Sequence, residues 1–246
     1  MKKALILFAF IIAFAFTATA QNGKSFGKFG NAPPGGNFGK TPPGGNFAAN
    51  PPANSDADFA KDSLSGGANG QVCNVSKIKT KTNGIQLKNG GQSCADTQLG
   101  EIPDVNQMVS SIISEPGSGQ VLKANTPFTV SVTTLNLALG NFDDPNTEYY
   151  KFSQQLNNQG LIKGHQHVTI QQLKSNTSPP DPKVVAFFKG LNDKGDGKTL
   201  STEVTTGLPA GDHRICTMSS SFAHQPLIMP VAQRGAQDDC IRVTVV

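Results

Sequence analysis

The stretch Gly164-His165-Gln166-His167-Val168-Thr169-Ile170-Gln171-Gln172-Leu173 alternates between polar and apolar side chains, as a half-buried β-strand does. Successive side chains of a strand point to opposite faces of the sheet. One face therefore carries His165, His167, Thr169 and Gln171, and the other carries Gln166, Val168 and Ile170. We expect this strand to lie in the middle of the fold and to carry the chemical site.

Further strand patterns follow this stretch and precede it, and turns rich in Gly, Pro, Asn and Asp separate them. The segment Asp104 to Ile113 fits a helix or a strand, and we favour a turn at Asp104 followed by a strand. No long helical pattern lies between the strands, which disfavours a parallel sheet. The sequence predicts an all-β fold, an antiparallel immunoglobulin-like β-sandwich over residues 104–246. Its strands are expected at 128–137, 165–173, 184–188, 213–218 and 241–246.

The first twenty residues, 1–20, have the features of a secretory signal peptide. Lys2 and Lys3 form a positive start, residues 4–16 form an apolar core, and Ala18-Thr19-Ala20 forms a small-residue cleavage site. The apolar core is shorter than the roughly 20 residues that a membrane-spanning helix needs. The sequence therefore predicts a secreted protein, extracellular or associated with the cell wall, with no membrane span.

Residues 21–69 form a low-complexity arm that repeats Gly, Pro, Asn and Phe. The two clearest copies read Pro-Pro-Gly-Gly-Asn-Phe at 33–38 and 42–47. So few apolar side chains cannot offset the entropy of ordering the chain, and we expect this arm to be disordered. A flexible spacer is the plainer interpretation, and an adhesive or wall-tethering arm is the alternative.

The four cysteines, in a chain that is predicted to be secreted, indicate disulfide bonds. Four cysteines allow three pairings, and we favour Cys73–Cys94 and Cys216–Cys240 because each pair flanks one turn-rich segment. The first pair defines residues 70–103 as a disulfide-closed hairpin segment. Asn74 and Asn176 lie in Asn-X-Ser/Thr motifs and are predicted to be glycosylated.

Two of the chain's four histidines, His165 and His167, share one face of the central strand, and His224 follows a later strand. Imidazoles at positions i and i+2 are close enough to bind one ion, and His224 would supply a third nitrogen from a loop. Three neutral imidazoles suit Cu or Zn. Hydrogen-bonded structural histidines are the favoured alternative, and contact with another ligand is a further one. His213 lies apart and is predicted to be a surface residue.

The charge of the chain gives little reason to expect nucleic acid as a partner. The formal net charge of +4 becomes +2 once Lys2 and Lys3 are removed. In one local run of lysines, no acidic residue lies between them, and the plain interpretation is a solvent-exposed face of a β-ribbon. The alternative is that this run and a tyrosine pair bind a cell-wall polysaccharide, although a chain without Trp disfavours a strong carbohydrate-binding module. The residues concerned are Lys77, Lys79, Lys81, Lys88, Tyr149 and Tyr150.

Several classes of enzyme do not fit the sequence. There is no Gly-X-Ser-X-Gly motif of the serine hydrolases. The predicted mature chain begins at Gln21 rather than at the histidine of oxidative copper polysaccharide enzymes. Lys189 to Gly197 is superficially similar to a calcium loop but lacks the order of its acidic ligands, and we predict a hairpin turn there. The sequence thus favours a protein that is not an enzyme.

The chain from about Met108 onward resembles a family of small secreted fungal proteins, best known from basidiomycetes, whose members sometimes carry a ribosomal-protein label. The resemblance implies a secreted fungal protein. It rests on Met108-Val109-Ser110-Ser111-Ile112-Ile113, on residues 164–171, on Phe187-Phe188-Lys189-Gly190-Leu191-Asn192-Asp193, on Gly207-Leu208-Pro209-Ala210-Gly211, on His224-Gln225-Pro226, and on Val231-Ala232-Gln233-Arg234-Gly235-Ala236-Gln237-Asp238-Asp239.

These observations favour a secreted, non-enzymatic extracellular protein that acts at the fungal cell surface or, as an effector, against a host protein. The first alternative is a copper- or zinc-binding protein, or a metal-dependent oxidoreductase, that uses the histidine cluster. The second alternative is a cell-wall polysaccharide binder. The distance of His224 from His165 and His167 in the fold separates the metal hypothesis from the others.

Overall fold

The computed structural model describes residues 72–82 and 84–246. All of them belong to one compact unit, Ala57–Val246. The predicted signal peptide, 1–20, and the predicted disordered arm, 21–69, lie outside the described residues. None of the described helices is long and apolar enough to cross a membrane.

The first described segment is closed by a disulfide bond between Cys73 and Cys94. A single helical turn, α1 (Val72–Val75), begins it, and Cys73 N donates a hydrogen bond to Asp96 Oδ1 at 2.8 Å. Lys81 and Cys94 form an isolated parallel bridge, so the segment is not the regular hairpin that we predicted. Its compactness therefore depends on the disulfide bond and on a few backbone contacts.

Asp104 ends this segment and starts the sandwich. Its carboxylate accepts a hydrogen bond from Asn106 N and caps a single 3-10 turn, Val105–Gln107. The chain then enters β1 (Ser110–Glu115), as the favoured interpretation of this stretch predicted. Ile112 and Ile113 are stiff, β-branched residues that prefer an extended backbone, and this favours a strand over a longer helix.

Two sheets form the sandwich. The smaller sheet has the order β1-β3-β7, and its strands pair antiparallel. The larger sheet has the order β2-β10-β8-β5-β4, and β6 and β9 also pair with β5. The remaining strands are β2 (Val121–Leu122), β3 (Phe128–Leu135), β4 (Leu137–Ala138), β5 (Ile162–Gln172), β6 (Phe187–Leu191), β7 (Thr199–Val204), β8 (Gly211–Thr217), β9 (Ser220–Ser221) and β10 (Cys240–Val245). The predicted class, an all-β fold of antiparallel sheets, is confirmed, although β2 and β4 join the larger sheet in parallel.

The hydrophobic core lies between the two sheets. Alternate residues of β3, β5, β8 and β10 supply it, and the best-buried ones are fully inaccessible to solvent. A second disulfide bond, between Cys216 and Cys240, joins β8 to β10 where the two strands are already paired. The two disulfide bonds are the pairs that the cysteine spacing favoured. The fully buried members of this core cluster are Val130, Ile162, Val168, Ile170 and Ile215.

Two predictions about the chain after β5 are wrong. The strand expected at 184–188 begins three residues later, because Val184 and Val185 lie exposed in a proline-rich loop closed by Val184 N and Asp181 O at 3.1 Å. Lys189 to Gly197 is not a hairpin turn. It leads from β6, which pairs with β5 in the larger sheet, to β7, which pairs with β3 in the smaller one. The connection therefore crosses from one sheet to the other.

Candidate metal centre

Strand β5 presents His165 and His167 on the face that points away from the core. Its C-terminal half lies between β6 and β8, and its N-terminal half lies between β4 and β9. Gly164 is required where β9 comes close, because a Cβ there would lie 2.2 Å from Ser220 O. His165 is completely buried and His167 is 9% exposed. The sheet therefore holds both imidazoles on rigid backbone.

His224 joins them from a tight turn that follows β9. The turn is closed by His224 N and Ser221 O at 2.9 Å, and by Ser221 N and Gln225 O at 2.9 Å. His224 adopts a left-handed backbone conformation with φ of 72°, which is uncommon for a residue with a Cβ and is found at functional sites. Its ring nitrogen Nε2 donates to Asp143 O at 2.8 Å, and this bond fixes the direction of the ring.

The three histidines form one cluster. One ring nitrogen of each lies within 4.8 Å of the chosen nitrogens of the other two. Three atoms at this spacing fit in a circle of radius about 2.8 Å, whereas a Zn–N bond is about 2.0–2.1 Å long, so each nitrogen would have to move inward by about 0.7 Å to bind one ion. The ring centroids are 4.6 Å apart for His165 and His167, and 4.8 Å apart for His165 and His224.

Backbone carbonyls determine which nitrogen of each ring is free to bind. His165 Nδ1 lies 3.3 Å from Asn141 O, and His167 Nδ1 lies 2.9 Å from Met218 O. A carbonyl oxygen only accepts hydrogen bonds, so each of these nitrogens, like His224 Nε2, carries a proton. In neutral rings, the lone pairs would then be on His165 Nε2, His167 Nε2 and His224 Nδ1. His165 Nε2 is buried and has no hydrogen-bond partner among the described residues.

The surroundings keep at least two of these rings neutral. Burial, together with the neighbouring His167 and His224, lowers the pKa of His165 to about 3, although the hydrogen bond to Asn141 O partly opposes this effect. Burial also lowers the pKa of His167, although its hydrogen bond to Met218 O partly opposes this effect. Neutral imidazoles are the form that binds metal ions.

A cleft of about 630 Å³ opens beside the cluster, and His167 and His224 form part of its wall. Phe142 contacts His165 and His224 edge-on, with ring centroids 5.1 and 5.2 Å apart. Phe188 tilts against His167 at 5.3 Å. Other residues that line the cleft are Tyr149, Tyr150, Lys189, Asn192, Met218 and Asp238. Aromatic rings thus enclose the cluster on the side facing the cleft.

A buried polar network lies behind the cluster, on the core face of β5. Gln166 Nε2 lies 2.8 Å from Ser219 Oγ and 2.9 Å from Thr134 Oγ1. Ser219 Oγ and Ser219 N both donate to Asp238 Oδ1 at 2.7 Å. The network therefore connects the space between the sheets with the wall of the cleft. The alternation along β5 correctly placed Gln166 on the core face. Nothing in the sequence indicated that Asp238 belongs to this network, or that Asp238 and Phe142 line the cleft.

The residues predicted to bind polysaccharide do not all line the cleft. Tyr149 and Tyr150 stack on each other at 4.0 Å and line the cleft. Lys77, Lys79 and Lys81 do not line it, and Lys81 forms a salt bridge with Asp96 at 3.1 Å. The first disulfide segment nevertheless reaches the tyrosine loop, because Tyr149 N donates to Gly84 O at 2.8 Å.

The other residues named from the sequence lie apart from the cluster. Asn74 and Asn176 are exposed, and Asn176 Oδ1 accepts a hydrogen bond from Arg242 Nη1 at 2.7 Å. The prediction that His213 is a surface residue is wrong. His213 is completely buried, because β8 turns it toward the core beside Val243, and burial lowers its pKa.

The fold and the cluster define a class: an all-β sandwich domain with three histidines gathered at one face of its central strand. Residues 111–246 match the model of the CLU5d N-terminal domain. The chain therefore belongs to the family of the CLU5d N-terminal domain. The match contains all four histidines and nearly all of the sandwich, and it excludes the Cys73–Cys94 segment.

Among curated proteins, the chain is similar to "Pathogenicity cluster 5 protein d" of Colletotrichum graminicola (strain M1.001 / M2 / FGSC 10212). The two are 49% identical over 188 residues, which are 73% of this chain and 39% of that protein. The chain thus spans well under half the length of this relative. A fungal family is confirmed, but it is not the basidiomycete family with a ribosomal-protein label that the sequence suggested.

Two solved structures overlap weakly with the chain. One contains the fibronectin(III)-like modules of Clostridium thermocellum CbhA, at 12% identity and a TM-score of 0.25, covering 56% of this chain and 46% of that one. The other is a β-glucosidase from Listeria innocua in complex with glucose, at 13% identity and a TM-score of 0.27, covering 56% of this chain and 16% of that one. Overlaps this low bear neither on the fold nor on the function.

Proposed function

We propose that this chain is an extracellular fungal protein with a virulence-related role, and that its sandwich domain binds a copper or zinc ion through His165, His167 and His224. The name of the Colletotrichum relative supports the biological part of this proposal. The two disulfide bonds among the described residues support the compartment, because such bonds persist in oxidising environments. The histidine cluster supports the metal.

The observation that carries the metal proposal is the free nitrogen of His165. Within residues 72–82 and 84–246, His165 Nε2 is buried without a hydrogen-bond partner, which typically costs about 1–3 kcal/mol. One ring nitrogen of each histidine lies within 4.8 Å of one nitrogen of each of the other two. Each ring donates a hydrogen bond to a backbone carbonyl rather than to a neighbouring imidazole. A metal ion would satisfy three lone pairs at once.

The hydrogen bonds that the three imidazoles donate to carbonyls also fit a metal site. Metal-binding histidines usually donate their other ring nitrogen to a carbonyl or a carboxylate, which orients the ring and raises its basicity. Asn141 O, Met218 O and Asp143 O take this role here. All three come from main chain that the sandwich or its loops hold in place. The rings are therefore oriented before an ion arrives.

Metal titration of the purified, metal-free protein tests the proposal. We expect the wild-type protein to bind one Cu or Zn ion. Changing a residue that is hydrogen-bonded to a metal ligand typically lowers the affinity by roughly 10- to 100-fold, and we expect His167→Ala to lower it by more than that. His213→Ala is the matched control, because it removes the histidine that lies outside the cluster. Circular dichroism checks that both variants fold. Equal affinity in the wild type and His167→Ala would refute the proposal.

Fractionation of a fungal culture tests the biological part. We expect the protein in the culture fluid or the cell wall, with Asn74 or Asn176 glycosylated. A strain without the gene is expected to infect its host less well than the parent strain. Recovery of the protein from the cytosol alone would refute an extracellular role, whatever the outcome of the metal titration.

A further inference from the structure

Met218 lies directly opposite His167 in the larger sheet. His167 N donates to Met218 O at 3.1 Å, and Met218 N donates to His167 O at 3.0 Å. Two residues that exchange both hydrogen bonds are direct partners, with Cα atoms roughly 5.5 Å apart and side chains on the same face. The side chain of Met218 therefore leaves the sheet beside the imidazole of His167, on the face that carries the cluster.

The thioether of Met218 is not used by the core. Met218 is 45% exposed, and it lines the cleft together with His167 and His224. A large apolar side chain that is left open in a cleft has a thioether free to bind a soft ligand. Its carbonyl already orients His167 at 2.9 Å, so the same residue touches the cluster through its main chain.

From this placement we infer that Met218 supplies the fourth ligand of the metal site, and that the resulting three-histidine, one-thioether set selects Cu(I) over Zn(II). The inference rests on the proposed metal function of the cluster. Thioether sulfur is a soft donor that favours Cu(I), whereas three imidazoles alone suit zinc as well as copper. Met218 thus decides which of the two ions the site retains.

Asp238 is the competing donor on the same wall of the cleft. Its Oδ1 already accepts hydrogen bonds from Ser219 N, Ser219 Oγ and Thr217 Oγ1, at 2.7, 2.7 and 3.1 Å. These bonds hold the carboxylate against the loop that follows β8. A carboxylate ligand would also select a harder ion such as zinc. Met218 and Asp238, as alternative fourth ligands, therefore predict opposite preferences between Cu(I) and Zn(II), and one experiment can distinguish them.

The test measures the affinity of the full chain for Cu(I), under anaerobic competition with a chromogenic Cu(I) chelator, and for Zn(II), with a zinc chelator. Met218→Leu removes the sulfur and keeps a similar apolar volume. We expect it to weaken Cu(I) binding by at least about tenfold and to change Zn(II) binding by less than about threefold. Met108→Leu, a half-buried methionine outside the cleft, is the matched control and should change neither affinity.

X-ray absorption at the copper edge gives a second readout. We expect a sulfur neighbour of Cu(I) in the wild type and in Met108→Leu, and none in Met218→Leu. Absence of sulfur in the wild type overturns the inference, as does an equal effect of Met218→Leu on both ions. Loss of zinc binding in Asp238→Asn with no effect of Met218→Leu on copper also overturns it, in favour of the carboxylate.

These outcomes are distinct from failure of the proposed function itself. If the wild type binds neither ion, or if His167→Ala binds both as well as the wild type, the cluster is not a metal site and the role of Met218 falls with it. If His167→Ala abolishes binding while Met218→Leu has no selective effect, the metal site stands and only the role of Met218 is refuted. Thermal unfolding of each variant verifies that the affinities refer to folded protein.

Discussion

Acidification should destabilise the metal-free protein, chiefly through His165. Its ring is buried and neutral in the folded state, and its pKa falls from an ordinary 6.5 to about 3. Between these two values the unfolded chain binds a proton that the folded chain does not. The free energy of unfolding therefore increases with pH across this window. The contribution from His165 is fully present above about pH 6.5 and is lost as the pH falls toward 3.

The size of the effect follows from the two pKa values. A shift of one pKa unit is worth about 1.4 kcal/mol, so His165 alone should cost the protein about 2 kcal/mol between pH 7 and pH 5, and roughly 3 kcal/mol by pH 4. Burial lowers the pKa of His167 and of His213 as well, which adds to the loss in the same direction. Such a loss is a large part of the roughly 5–15 kcal/mol that stabilises a typical domain.

Urea unfolding at several pH values, followed by far-UV circular dichroism in the presence of a chelator, measures this dependence. His165→Asn is the informative variant, because its amide keeps a donor near Asn141 O and does not titrate. The variant should be less stable at pH 7, but its stability should fall less steeply below pH 6.5. Parallel curves for the wild type and the variant would refute the assignment to His165.

Three further predictions address the core, the first disulfide and the metal. Gln166→Ala should lower the free energy of unfolding by about 1–3 kcal/mol, because it removes the buried amide that donates hydrogen bonds to Ser219 Oγ and Thr134 Oγ1. The exposed Gln172→Ala should change it by less than about 0.5 kcal/mol. Denaturant unfolding compares the two variants, and equal effects would contradict the role of the network. A chain with Cys73→Ser and Cys94→Ser should be cut by trypsin within the lysine run at 77–88, while the sandwich stays intact. Mass spectrometry of the fragments would show this. If the variant resists trypsin as well as the wild type does, the disulfide bond is not needed to order this segment. Saturation with metal at about 100 times the dissociation constant should stabilise the wild type by about 2.7 kcal/mol in thermal or urea unfolding and should leave His167→Ala unchanged; an equal shift in both would indicate binding elsewhere.

Much of the sandwich can be predicted from alternation alone. The pattern on β5 correctly separates His165 and His167 from Val168 and Ile170, because one face of the strand packs on the core. The spacing of the cysteines likewise favours the two observed disulfide bonds. Both signals are local or nearly so, which is why a single sequence carries them.

The errors arise where distant parts of the chain decide the outcome. Val184 and Val185 have the composition of a strand but lie exposed in a loop, because Val184 N donates to Asp181 O and pairing with the distant β5 starts only at Phe187. His213 is polar, yet its position on β8 turns it inward. The neighbourhood of His224 depends on a left-handed turn and on a carbonyl of the loop at Asp143, and neither leaves a mark in the sequence.

The close approach at Gly164 has a consequence for the fidelity of folding. A Cβ at that position would lie 2.2 Å from Ser220 O, so a slip of β5 by one residue would force a side chain into a space that admits only hydrogen. The same slip would turn the imidazoles into the core and expose Val168 and Ile170. Misaligned pairing is thus penalised at the glycine, in the core and at the histidines together. A chain that pairs β5 correctly has, by that single step, also assembled two of the three nitrogens of its candidate metal site.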